Sequence, residues 1–192
     1  MVTTAAGSVG SAVGQLAKIY GCRTIGLTST NEKATICKSK FGFDEVINYR
    51  QVNNLSDSIK KIAPNGVDCF FDNVGGIQFD AVMENLNIKA RIVICGTIGM
   101  PSFPIPIGPR INRTLLIKRA KIEGLLVLDY FNKYQEIYNK LLKWYVEGKL
   151  VSDEDISDGL KSAPTSLVKI LNGLKNYYEE HHQIKYSSDA II

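Results

Sequence analysis

The first fourteen residues, Met-Val-Thr-Thr-Ala-Ala-Gly-Ser-Val-Gly-Ser-Ala-Val-Gly, constrain the fold more than any other stretch. Val2, Thr3 and Thr4 read as the end of a strand, the small residues after them as a tight turn, and the remainder as the start of a helix. Gly7 and Gly10 stand at the second and third glycine positions of a G-x-G-x-x-G fingerprint, with Ala5 at the first. Such a turn must be tight, must admit a pyrophosphate close to the backbone, and must let the helix lie against the strand. A helix N-terminus then presents unpaired N–H groups and a positive dipole end to the phosphates. A tight strand-to-helix turn without a ligand would need the same small residues, so the rest of the chain decides between the two.

Past this turn, strand and helix patterns alternate. Helical spacing of Val13, Leu16, Ala17 and Tyr20 stops at Gly21, and a β-branched strand is expected over residues 23–28. An acidic residue at the end of that strand would bind a ribose 2′-OH and repel a 2′-phosphate. The chain has Thr28, Ser29, Thr30 and Asn31 there, with Glu32 and Lys33 following. Hydroxyls beside a lysine suit a 2′-phosphate and favour NADPH over NADH; the plainer alternative is that Asn31 caps the next helix and Lys33 is solvated. A helix over 31–41, a strand over 45–49 ending in Tyr49, a helix over 55–63 and the turn Pro64-Asn65-Gly66 come next. The nearly apolar strand 67–72 (V-D-C-F-F-D) runs into Asn73-Val74-Gly75-Gly76, and after a helix over 79–86 the strand 91–95 runs into Gly96-Thr97-Ile98-Gly99. This order is the signature of an α/β, doubly wound parallel sheet, in which ligands sit at the carboxyl ends of the strands. Three glycine turns fall at that one edge.

Residues 100–113 hold four of the six prolines and read as a loop over the site. Residues 110–121 carry five basic residues and read as a solvated helix face with an apolar stripe at Ile111, Leu115, Leu116 and Ile122, in preference to an RNA-binding surface. A sixth strand is expected over 124–128 (G-L-L-V-L), a long amphipathic helix over 132–148 with Trp144 on its apolar side, and a helix from Pro164 to Gly173. This divides the chain into a Rossmann domain at 1–150, a C-terminal helical segment at 151–175 and a tail at 176–192.

The net charge of +4 is too mild to point to nucleic acid. Cys22, Cys37, Cys69 and Cys95 form no C-x-x-C pair and read as buried free thiols in a reducing compartment. Glu179, Glu180, His181 and His182 are adjacent and share no helix face, so no metal site is expected. No apolar run approaches the ~18 residues of a membrane helix, and no leader pattern is visible, which makes a cytoplasmic protein the expectation. Met1 itself falls nearly inside the first strand.

With these motifs read, the chain resembles the zinc-independent medium-chain dehydrogenase/reductases of the prostaglandin reductase branch, which includes leukotriene B4 12-hydroxydehydrogenase and 2-alkenal reductase. The matching stretches are A-A-G-S-V-G-S-A-V-G-Q-L-A-K at 5–18, N-E-K at 31–33, G-F-D-E-V-I-N-Y at 42–49, G-V-D-C-F-F-D-N-V-G-G at 66–76, V-L-D-Y at 127–130 and E-G-K-L at 147–150. The resemblance implies a Rossmann-type NADPH-binding domain. In it Gly7, Ser8, Val9 and Gly10 hold the pyrophosphate, Lys33 and Tyr49 the 2′-phosphate and adenosine end, and Asn73 the ribose side. Cys95, Gly96, Thr97 and Ile98 line the nicotinamide, Leu125, Leu126 and Val127 run near its carboxamide, and Tyr130 lies on the substrate side. The implied reaction is reduction of the C=C bond of an enone or enal such as a 15-oxo-prostaglandin or 2-alkenal. A quinone reductase of the same superfamily and a non-catalytic nucleotide-binding module are the alternatives.

Three departures bear on this expectation. The family's N-terminal catalytic domain, the other wall of its cleft, is not among these 192 residues, so the chain alone is expected to turn over little substrate. Pro101 stands near where relatives carry a tyrosine, and no tyrosine occurs between Tyr49 and Tyr130. After Gly173 the chain leaves the family's G-x-N-x-G-K strand. The resemblance also implies a possible homodimer through the sixth-strand edge.

Overall fold

The structure is a computed structural model that describes residues 1–101, 103–104 and 106–173. Contacts divide the chain into two units, Met1–Ser152 and Asp153 onward. The first unit runs α1 (Ser8–Ile19), β1 (Ile25–Thr28), α2 (Asn31–Ser39), β2 (Glu45–Asn48), α3 (Leu55–Ile62), β3 (Val67–Asp72), α4 (Gly76–Glu84), β4 (Leu86–Ile94), α5 (Asn112–Lys118), β5 (Lys121–Gly124), a 3-10 turn (Val127–Lys133) and α6 (Tyr134–Val146). The second has, among its described residues, a 3-10 turn (Leu160–Ser162) leading into α7 (Ala163–Leu171), with Pro164 in the first turn where its missing N–H costs nothing. The acidic and histidine residues at 179–182 lie outside the described residues.

All strand pairs are parallel. β1 pairs with β2, and β3, β4 and β5 pair in that order. Val2 joins the two groups, bridging Gly26 on one side and Phe71 on the other. The order β2–β1–Val2–β3–β4–β5 is that of a Rossmann-type doubly wound sheet, whose ligand crevice opens where the strand order reverses, above Val2. The expectation of fold is met.

The main core packs β1–β4 against α3 and α4, with Leu27, Ile59, Phe70, Val82, Leu86 and Ile92 almost fully buried, and with Leu115 of α5 and Ile111 just before it partly buried against them. α1 lies close on the sheet elsewhere: a Cβ at Gly14 would enter the Phe43 ring, and one at Gly26 would lie 2.6 Å from the Ala5 side chain. α6 reaches α1 through Trp144, edge-on to Tyr20 at 5.9 Å, with Lys140 over both rings. A cavity of about 570 Å³ lies between β1 and β3, lined by Val13, Arg23, Ile25, Val67 and Cys69 among others. The Met1 amino group donates to the Cys69 carbonyl at 2.7 Å, and burial lowers its pKa.

Several boundaries differ from the sequence reading. The fifth strand of this structure is K-I-E-G at 121–124, ahead of the expected 124–128, and the basic helix ends at Lys118, where Arg119 turns left-handed (φ 50°). Only Ile122 of β5 packs on the core, so the segment hides its strand character behind charges. The apolar run at 125–128 misleads in the opposite sense: Leu126, Val127 and Leu128 lie past the ladder and are exposed. Of the cysteines, Cys37 alone is buried, while Cys22, Cys69 and Cys95 are exposed. The first strand of the series begins at Ile25 rather than residue 23, and β4 extends back to Leu86 across a register shift. Among the described residues no helix is long and apolar enough to cross a membrane.

Candidate nucleotide-binding site

The first turn is built on backbone contacts that only small residues allow. Ala5 donates to the Leu27 carbonyl at 3.0 Å, and Gly7 donates back to Thr4 at 2.8 Å. Thr4 sits in the left-handed region (φ 49°), an uncommon conformation for a β-branched residue and a usual companion of ligand-binding turns. A Cβ at Gly10 would press into the Thr4 carbonyl, 2.7 Å from its carbon and 3.0 Å from the Thr3 oxygen. Gly10 therefore lets α1 begin directly over the strand end. Ser8 and Val9 are exposed at the mouth, the helix's first turn has no acidic residue, and its leading N–H groups face outward as at any helix start.

The second turn is fastened to the first. Thr3 is fully buried; its hydroxyl donates to Asp72 Oδ1 at 2.9 Å and accepts from the Asn73 N–H at 2.7 Å. The Asn73 side-chain amide donates to the Thr3 carbonyl at 3.0 Å. Asp72, also buried, accepts from the N–H groups of Val74 at 3.1 Å and Gly75 at 2.9 Å, which pulls the glycine pair back to open α4. The third turn closes on the same residues. Cys95 and Gly96 donate to the Asp72 carbonyl at 2.8 and 3.2 Å, and Ile98 donates to the Asn73 carbonyl at 3.4 Å. A Cβ at Gly96 would come within 2.9 Å of that carbonyl, so the third turn too is held close by the absence of a side chain. Leu125 donates to Ile94 at 2.8 Å, setting the 125–127 segment beside the third turn. Tyr130, partly exposed, lies in the 3-10 turn that follows.

At the far end of the crevice, Thr30 caps α2, its side chain accepting from the Lys33 N–H at 3.3 Å. The cap is thus Thr30 and not Asn31. Glu32, in the first turn of α2, is held below its ordinary range by bonds from its own N–H and the Thr30 hydroxyl. Tyr49 donates its N–H to Thr28 at 3.0 Å, and Asn48 donates its amide to Asn31 at 2.9 Å, so the ends of β1 and β2 form one platform. Arg50 follows Tyr49 there and was not singled out by the sequence; its place one residue beyond a strand end was the available signal. The structure thus gathers Gly7–Gly10, Asn73, Cys95–Ile98 and Leu125 at one edge, with Lys33 and Tyr49 at the flank. Pro101 is exposed just past the third turn.

The sequence profile of the family described as zinc-binding dehydrogenase matches residues 8–146. Among the described residues no three His, Cys, Asp or Glu side chains cluster as a metal site. A 2-alkenal reductase (NADP(+)-dependent) from Nicotiana tabacum is 41% identical over 172 residues, 90% of this chain and 50% of that protein. Prostaglandin reductase 1 from Oryctolagus cuniculus is 37% identical over 180 residues, again 90% of this chain and 50% of its own. The crystal structure of CurA in complex with NADPH from Vibrio vulnificus superposes with a TM-score of 0.85 at 38% identity, covering 92% of this chain and 53% of that one. The chain spans about half the length of the relatives it matches. It belongs to the zinc-binding dehydrogenase family, as a Rossmann-type domain that is similar, over about half their length, to the prostaglandin and 2-alkenal reductases.

Proposed function

We propose that this chain binds NADPH and forms the cofactor half of an oxidoreductase that reduces the C=C bond of α,β-unsaturated carbonyl compounds, enones or enals of the 2-alkenal or 15-oxo-prostaglandin type. The observation that carries the proposal is the joining of three glycine turns, through Thr3, Asp72 and Asn73, into one cradle at the carboxyl edge of the sheet. The cradle has the close backbone approach at Gly10 and the outward N–H groups that a pyrophosphate requires.

On this reading Gly7–Gly10 hold the pyrophosphate, and Lys33 and Tyr49 take the 2′-phosphate on the platform formed by the ends of β1 and β2. Asn73 orients the ribose, while Cys95–Ile98 and Leu125–Val127 wall the nicotinamide. Bound in this cradle, NADPH would supply the hydride for reduction of the substrate C=C bond. The protein's part is orientation and exclusion of water, with Tyr130 at the substrate side. Pairing of two copies along the β5 edge belongs to the same proposal.

Lys33→Ala tests the assignment. It is expected to weaken NADPH binding about tenfold or more, one charge-assisted hydrogen bond's worth, while leaving NADH binding unchanged. Equal loss for both cofactors would contradict the placement of the 2′-phosphate at Lys33.

A further inference from the structure

We infer that Thr3 is a positioning residue of the cofactor site: its buried hydroxyl fixes Asn73, and through Asn73 the ribose and nicotinamide portion of the dinucleotide. The inference rests on the cofactor reading above and deepens it. The hydroxyl is used in both directions, donating its proton to Asp72 Oδ1 at 2.9 Å and accepting the Asn73 N–H at 2.7 Å. The Asn73 amide in turn reaches back to the Thr3 carbonyl at 3.0 Å. Both backbone groups and both side chains of this pair are thus committed to one arrangement across two strand ends. The commitment extends to the third turn, because the Asn73 carbonyl accepts Ile98 N–H and limits Gly96 to a glycine.

A residue that merely filled the core at position 3 would need volume and no polarity. Valine has the same shape and would keep the parallel bridges that neighbouring Val2 makes. It would leave Asp72 Oδ1 with the Val74 N–H alone and the Asn73 N–H with no partner from residue 3. The turn at Asp72 and Asn73 would then lose two of its three hydrogen bonds to residue 3, on the side of the crevice away from Lys33 and Tyr49. This asymmetry separates positioning from folding. The adenosine end is built on the cap of α2 and the end of β2, and none of its bonds passes through Thr3.

The test compares full-length wild type, Thr3→Val, Thr3→Ser and Asn73→Ala for affinity toward NADPH and toward 2′,5′-ADP, the fragment that engages the adenosine end alone. Thermal melts of each are run alongside. Thr3→Val is expected to weaken NADPH binding about tenfold, the equivalent of one hydrogen bond, with 2′,5′-ADP unchanged within about twofold. Thr3→Ser, which restores the hydroxyl, should return NADPH affinity to the wild-type value. Asn73→Ala, which removes the amide bond to the Thr3 carbonyl but leaves the Thr3 hydroxyl its bonds to Asp72 and to the residue-73 N–H, should show the same selective loss, and it carries the test should Thr3→Val fail to melt cooperatively. Wild-type NADPH affinity in Thr3→Val, or in Asn73→Ala where Thr3→Val does not fold, overturns the inference, as does an equal loss of both ligands. Failure of the wild type to bind either ligand overturns the cofactor reading, and this inference with it.

Discussion

At the scale of single residues, two positions carry sharp expectations. Gly10→Ala would drive a methyl group into the Thr4 carbonyl, a backbone atom pair held on both sides by the sheet. Relief requires α1 to lift off the strand end, an overpacking cost of about 1–3 kcal/mol, so a lowered melting temperature and at least tenfold weaker NADPH binding are expected. Gly124→Ala is the control, since a Cβ there meets nothing within 4 Å and should shift the melt little. Cys37 differs from its exposed counterparts: burial pushes its thiol up to about 12, with Lys33 opposing weakly. Between pH 9 and 12 the folded state keeps a proton that the unfolded state loses. Stability therefore falls with rising pH, by about 1.4 kcal/mol per unit from this group. Urea titrations across that range should show a shallower decline for Cys37→Ala than for the wild type. The glycine positions were legible because their constraint is local, written in consecutive residues. The Thr3–Asp72–Asn73 network was not, because its partners lie about seventy positions apart and nothing in a lone threonine announces them.

At the scale of elements, the alternation of strand and helix was readable almost throughout, since apolar runs bounded by glycine turns leave little choice in a parallel sheet. The reading failed where exposure and hydropathy part company. β5 presents Lys121 and Glu123 beside one core residue, Ile122, as an edge strand can, and the more apolar 125–128 drew the assignment away. A short, charged β5 is also the pattern by which edges resist indiscriminate pairing. Gln15 shows a connection that hydropathy hides. From within α1 its amide pairs with both backbone groups of Val151, accepting the N–H at 2.7 Å and donating to the carbonyl at 3.0 Å. This ties the chain after α6 back to α1, beside the contact of Trp144 with Tyr20. Gln15→Leu keeps the helix and much of the volume but strands two backbone groups. A loss of about 1–3 kcal/mol is expected in denaturant unfolding, and an unchanged midpoint would show that the clamp contributes nothing.

At the scale of the whole molecule, the five parallel strands and the bridge at Val2 hold three turns at one edge, joined there by the long-range hydrogen bonds of Thr3 with Asp72 and Asn73. The exposed apolar surface of Leu126, Val127, Leu128 and Phe131 lies on the segment beyond β5, adjoining the proposed nicotinamide wall. The central claim for the molecule is that the cradle is a dinucleotide site with a 2′-phosphate corner. The most direct measurement is a calorimetric titration of the purified chain with NADPH and, separately, with NADH. Micromolar binding of NADPH with NADH at least tenfold weaker is the predicted result; equal affinities, or no binding of either, would contradict it.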